Sequence, residues 1–119
     1  MSILKRSKEK GFKDIEPKDA FTMLEKKRND PDYVALDVRT PQEYEEGHIE
    51  NAEFLNVKSK DFEDELKKLD KDKHYLVYCK TGRRGKKAAE LMKKQGFKNL
   101  YNIIGGFDKW KSKRLPFEK

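Results

Sequence analysis

Cys79 is the only cysteine in a chain of 119 residues, and the six residues after it, Lys80-Thr81-Gly82-Arg83-Arg84-Gly85, combine cations, a hydroxyl and two glycines. A lone thiol has no internal disulfide partner and falls far short of a structural zinc site, so any chemistry here is that of a free thiol. The thiolate is the nucleophilic form. A helix N-terminus flanked by Arg or Lys favours it, moving a thiol from ~8.5 toward ~7 or lower. Gly82 allows a positive φ that curls main-chain N–H groups around a sulfur, Thr81 offers a hydroxyl donor, and Arg83 and Arg84 offer charge to an incoming anion. The competing reading is a buried, inert thiol at a strand end. The cationic turn weighs against it, because an inert core thiol has no need of one.

The elements that must position this loop alternate between two types. Phe12–Glu16 reads as a short edge strand, and Pro17 opens a helix to about Arg28 with Ala20, Phe21 and Leu24 inward. Asn29-Asp30-Pro31 ends it. Tyr33–Val38 is a nearly continuous apolar run of strand length, the pattern of a buried parallel strand. Thr40-Pro41-Gln42-Glu43 is a capping sequence for a short helix closed by Gly47. Glu53–Val57 is a further short strand, and Lys60–Leu69 has Phe62, Leu66 and Leu69 at helical spacing. His74–Cys79, rich in strand formers, is the clearest strand of all. The polar loop Lys80–Gly85 follows, then a helix to about Gln95, a strand over Asn99–Ile104, a turn at Gly105-Gly106, and a last helix over Phe107–Lys113.

Strands separated by helices of this length pair in parallel through right-handed crossovers. The expected fold is therefore α/β, three layers with a central, mainly parallel sheet. In such sheets ligands bind beyond the carboxyl ends of the strands, and Cys79 sits at one of those ends. Strand, loop and helix in this order aim several N–H groups into one concavity, which attracts an anion.

Composition bounds the rest. The length supports one domain, expected over residues 11–119, preceded by a mobile basic arm over residues 1–10. Charged residues make up 43% of the chain, while Phe, Ile, Leu and Val number 26, enough for a small core only if they are patterned. No apolar run approaches a membrane span, and Met1–Phe12 lacks the apolar stretch of a signal peptide, so the expected location is the cytoplasm, with no membrane partner. The net charge of +7 comes mostly from Lys. These lysines alternate with acidic residues at helical spacing, which suits solvated helix faces, and Arg is scarce, so nucleic acid is not an expected partner.

Cys79-Lys80-Thr81-Gly82-Arg83-Arg84 resembles the active-site loop of single-domain rhodaneses, sulfurtransferases with the pattern C-x-x-G-x-R. Asp37-Val38-Arg39, Glu43-Tyr44, Gly47-His48-Ile49 and Ala52 come before it, and Gly105-Gly106-Phe107, Trp110 and Leu115-Pro116 after it, in the family's order. The resemblance spans roughly Phe12 to Pro116 and implies a rhodanese-like domain. Two positions depart from the family pattern: Gly85 where Ser is frequent, and Arg114 where Gly usually precedes Leu-Pro.

The resemblance implies that the Cys79 thiolate attacks a small anionic sulfur donor such as thiosulfate, becomes a persulfide, and is relieved by a thiol or protein acceptor, without metal or cofactor. It implies Cys79 as catalytic, and Lys80, Thr81, Gly82, Arg83 and Arg84 as substrate-binding. Related phosphatases and arsenate reductases hold Arg one position later, where this chain has Gly85, so the shorter loop suits a single transferable sulfur atom. An alternative is a non-enzymatic rhodanese-like module that uses the same loop to bind an anionic or protein partner. Of the other residues, Asp37 and Arg39 read as a buried charge pair that fixes the loops, and Glu43 as the cap of its own helix. His48 is structural, since attack by an ionised thiol on sulfur needs no base. His74 is expected to be exposed, Gly105-Gly106 to pass close to the loop, and Trp110 to anchor the last helix.

Overall fold

The computed structural model describes residues 11–119; the expected mobile arm, residues 1–10, lies outside the described residues. Five strands, β1 (Lys13–Ile15), β2 (Tyr33–Asp37), β3 (Glu53–Phe54), β4 (His74–Tyr78) and β5 (Asn99–Ile103), alternate with five helices. These are α1 (Pro17–Lys26), α2 (Pro41–Glu46), α3 (Phe62–Leu66), α4 (Arg83–Lys94) and α5 (Gly106–Ser112). The sheet runs β1-β5-β4-β2-β3, and every neighbouring pair is parallel. Among the described residues no helix is long and apolar enough to cross a membrane.

The central strand shows why the layers form. Successive residues of a strand point to opposite faces, so an uninterrupted apolar run must be covered on both sides. Tyr75, Val77 and Cys79 enter one core with Phe62 and Leu66 of α3 and Ala88, Ala89 and Met92 of α4. Leu76 and Tyr78 enter the other with Ala20 of α1 and Phe107 and Trp110 of α5. The outcome is a three-layer α/β/α domain with Cys79 in the layer under α4.

Local signals placed the helix starts. Pro17 occupies the first turn of α1, where a missing N–H costs nothing. Thr40 and Glu43 form a reciprocal capping box at the start of α2, and Glu43 does cap its own helix. Some bounds differ from expectation. β3 stops at Phe54, although the N–H groups of Leu55 and Val57 still bond to Asp37 and Val38 at the end of β2. α3 is shorter than Lys60–Leu69 because its C-terminal end tightens into turns with bonds three residues apart, Lys68 to Glu65 and Leu69 to Leu66. α4 begins at Arg83, so the expected loop is cut short. Gly82 takes a left-handed conformation with φ 112° and starts the helix directly. His74 is half-buried instead of exposed: its ring stacks on Tyr33 at 4.3 Å, with Tyr101 on a neighbouring strand 6.4 Å away.

Candidate active site

Cys79 follows directly on β4 and is 1% exposed. The chain then turns through Lys80, Thr81 and Gly82 into α4, and the Gly82 N–H donates to Cys79 Sγ at 3.0 Å. Three features of the sequence produce this contact. The strand delivers the sulfur at the carboxyl end of the sheet, Gly82 reverses the backbone, and the first turn of α4 leaves N–H groups without partners inside the helix. The arrangement is a turn of main-chain N–H dipoles of the kind that receives anions.

A second segment braces the turn. The Phe107 N–H donates to the Cys79 carbonyl at 2.7 Å and the Asp108 N–H to the Lys80 carbonyl at 3.0 Å. Gly106, with φ 61°, lets this approach happen, since a β-carbon there would collide with the Cys79 carbonyl oxygen and with Lys80. Gly105-Gly106 therefore passes against the loop as expected.

The expected binding side chains divide into two groups. Thr81 and Arg83 are exposed and, with Gly82, line a cleft of about 460 Å³ that also holds Asp14, Lys86 and Asn102. Lys80 and Arg84 do not line it. Lys80 reaches Asp108 at 2.7 Å on the surface. Arg84 is held by Glu43 through two hydrogen bonds, Nη1 to Oε1 at 2.9 Å and Nη2 to Oε2 at 3.1 Å. Those bonds, aided by the Glu43 helix cap and opposed by burial, bring the Glu43 carboxyl down to about 2. The same bonds raise Arg84 above its ordinary value, with smaller contributions from the charges of Glu43 and Cys79. Arg84 is thus a fixed charge beside the sulfur. The Glu43 partnership was missed in the sequence, where nothing links two residues so far apart.

Asp37 and Arg39 behave as read. Both are buried, and Arg39 donates from Nε to Asp37 Oδ1 at 2.9 Å and from Nη2 to Oδ2 at 2.7 Å. A further bond from Nη2 to the Gly47 carbonyl ties β2 to the end of α2. His48 stacks on Tyr44 and bonds through Nδ1 to the Tyr44 carbonyl at 2.8 Å, a structural place. Trp110 anchors α5, its indole N–H donating to the Pro116 carbonyl. Among the described residues no three His, Cys, Asp or Glu side chains gather as a metal site. Asn102 is another residue missed in the sequence. An amide between Tyr101 and Ile103 near the carboxyl end of a strand was the available signal.

The sequence model of the Rhodanese-like domain family matches residues 20–113, with the Cys79 loop and its bracing turn inside the match. The chain belongs to this family. Among curated relatives, thiosulfate sulfurtransferase GlpE of Coxiella burnetii is 38% identical over 101 residues, covering 85% of this chain and 89% of the relative. The tRNA uridine(34) hydroxylase of Pectobacterium carotovorum is 40% identical over 100 residues, covering 76% of this chain but 28% of that protein. A crystal structure of a rhodanese-related protein from Thermoplasma volcanium superposes with a TM-score of 0.75 at 28% identity, over 90% of this chain and 98% of that one. A rhodanese-like domain therefore accounts for the parallel sheet, the loop after β4 and the brace from α5.

Proposed function

We propose that this protein is a sulfurtransferase in which Cys79 takes a sulfane sulfur from thiosulfate or a related anionic donor and passes it to a thiol. The observation that carries the reading is the Gly82 N–H donating to Cys79 Sγ at the start of α4, which sets the thiol in a turn of main-chain donors suited to an anionic sulfur donor. Likeness to GlpE over most of both chains supports the same reaction class.

The reaction is a double displacement. The Cys79 thiolate bonds to the outer sulfur of thiosulfate, the sulfur–sulfur bond of the donor breaks, and sulfite departs with the electron pair. Thr81 and Arg83, with the Gly82 backbone, receive the donor's oxygens. Lys80 contributes long-range charge from the surface, and Arg84, fixed by Glu43, offsets the negative charge that accumulates on two linked sulfurs. An acceptor thiol then removes the outer sulfur. A single thiol that must stay reduced fits a reducing compartment such as the cytoplasm, and residues 11–119 act as one unit.

The test is direct. Purified protein treated with thiosulfate gains the mass of one sulfur atom and converts cyanide to thiocyanate, and Cys79→Ala does neither. Thiocyanate formation that persists in Cys79→Ala overturns the mechanism, and a wild type that gains no mass points instead to a binding module.

A further inference from the structure

The solvent side of α4 carries charge of nearly one sign. Arg83, Lys86, Lys87, Lys93 and Lys94 are all exposed, Glu90 is the one acid of the helix, and none of the five cations is in an ion pair among the described residues. Other helices mix signs and pair them: Lys67 meets Asp64 at 3.5 Å and Lys68 meets Glu65 at 3.1 Å around α3, and Arg28 meets Glu25 at 3.0 Å after α1. The start of α4 also opposes its own dipole. Its first turn holds no acid, and Arg83 lies three and four residues before Lys86 and Lys87, spacings at which like charges repel. Glu43 answers Arg84, not these residues.

The run of charge continues past both ends of the helix. At the amino-terminal end, Arg83 and Lys86 border the cleft beside the turn. At the other end, Lys93, Lys98 and Lys13 line a trough of about 550 Å³ on the β1–β5 side of the sheet, and no acidic residue is in its lining. Lys98 is met by Asp72 at 3.3 Å, which leaves Lys13 and Lys93 as its uncompensated cations. The helix has 12 residues, so the strip extends over roughly 18 Å.

We infer that this strip is a docking surface for another protein, which lays an acidic segment along α4. Repulsion among the lysines, unrelieved inside the chain, is relieved when carboxylates come between them, and the sign of the strip steers such a partner during encounter. Residue types select the class of polyanion. Lysines are point charges without the planar fork that grips phosphate, Arg83 is the one arginine on the solvent side of the helix, and α4 has no aromatic side chain on which bases could stack. Carboxylates on a polypeptide therefore fit better than a nucleic-acid backbone. The strip begins at the turn after β4 and lies on the opposite face of the sheet from α1 and α5, so a docked partner stands over the layer under α4 and leaves the other layer free. Docking of this kind requires nothing of the thiol, and so stands apart from the sulfurtransferase reading.

The probe is a sixteen-residue peptide, Glu-Ala-Ala-Glu four times over, titrated into the isotope-labelled full chain at low salt and followed by amide chemical shifts. Two comparisons are the same peptide with Gln for Glu and a nine-nucleotide oligouridylate, which matches the peptide's charge. Shifts are expected to gather on α4 and the β1–β5 side and to spare α1 and α5; the Gln peptide should cause none, and the oligouridylate should bind more weakly. Lys87→Gln, Lys93→Gln and Lys94→Gln together should weaken the acidic peptide by about 10-fold. Lys18→Gln, Lys26→Gln and Lys113→Gln, an equal change of charge on the opposite layer, should weaken it by less than about 2-fold. Shifts spread over both layers, equal losses in the two triple variants, or tighter binding of the oligouridylate overturn the proposal. No sulfur donor is present in the titration, so its outcome and that of the thiosulfate assay are read independently.

Discussion

Arg84 and Glu43 are 41 residues apart in sequence and meet through two hydrogen bonds of 2.9 and 3.1 Å, joining the first turn of α4 to the first turn of α2. Each side chain is 23% exposed, so the pair is shielded enough to matter. The Glu43 carboxyl also accepts from the Thr40 N–H at 3.0 Å, so one carboxylate serves a helix cap and the loop cation together.

The pair makes stability depend on acid. The carboxyl of Glu43 falls from an ordinary 4.5 to about 2 in the folded state. A depressed carboxylate contributes its stabilisation fully above the unfolded value and loses it as pH drops through the folded one, so the loss lies between about 4.5 and 2. Glu43→Gln is expected to cost on the order of 1–2 kcal/mol near neutral pH and progressively less toward pH 2. Urea unfolding of both proteins at pH 7, 4 and 2.5 checks this; a gap that stays constant over that range contradicts it.

Asp37 and Arg39 give a different kind of prediction, because both charges are buried. Removing one leaves the other charged without its partner, which typically costs ~3–5 kcal/mol, whereas replacing both by apolar groups costs far less than the two losses added. Asp37→Leu and Arg39→Met are each expected to lower the urea midpoint strongly, and the double variant to recover part of the loss. A double-mutant cycle with no coupling contradicts the reading of this pair as one unit.

The fold and the turn that follows β4 were legible because their signals are local. The apolar run of β4, the cap at Thr40, Pro17 and the contiguous Cys79–Arg84 segment each carry their own physics within a few residues. Glu43 shows the boundary: its role as a cap was readable from Thr40, but its second partner lies across the domain and leaves no trace near it. His74 failed for the same reason. A strand's first residue is ordinarily solvated, and only the register that sets Tyr33 beside it in β2 supplies a ring to stack on. Asn102 is a visible amide near the end of its strand, but its full burial and its approach to Gly85 of another element are not readable from its neighbours in sequence.

Gly106 is required twice over, by its positive φ and by the carbonyl groups of Cys79 and Lys80, which occupy the place a β-carbon would take. Gly106→Ala must shift the α5 N-terminus away and weaken the bond from Phe107 N–H to the Cys79 carbonyl. The expected loss is roughly 2–3 kcal/mol, with thiocyanate formation reduced together with the melting temperature. Gly96→Ala is the comparison: Gly96 also has a positive φ but an open site, so backbone strain alone operates and the loss should be nearer 1 kcal/mol. Thermal unfolding of the two variants separates strain from collision, and equal losses contradict the crowding assigned to Gly106.

Adjacent arginines should fail differently. Arg83 lies exposed on the cleft, where the proposed reaction has it meet a donor anion by charge, while Arg84 is tied to Glu43. Arg83→Ala is therefore expected to raise KM for thiosulfate by about 10-fold with a smaller change in kcat, as loss of a contact made equally in ground and transition states would do. The rise should shrink as ionic strength increases, because an exposed charge is screened over ~8–10 Å at ordinary salt. Arg84→Ala removes a fixed charge from beside the sulfur and strands Glu43, so kcat and stability should fall together, with little relief from salt. Steady-state thiosulfate kinetics on both variants at 20 and 300 mM salt decide the matter: matching profiles for the two would mean that the Glu43 tether does not distinguish Arg84 from its neighbour.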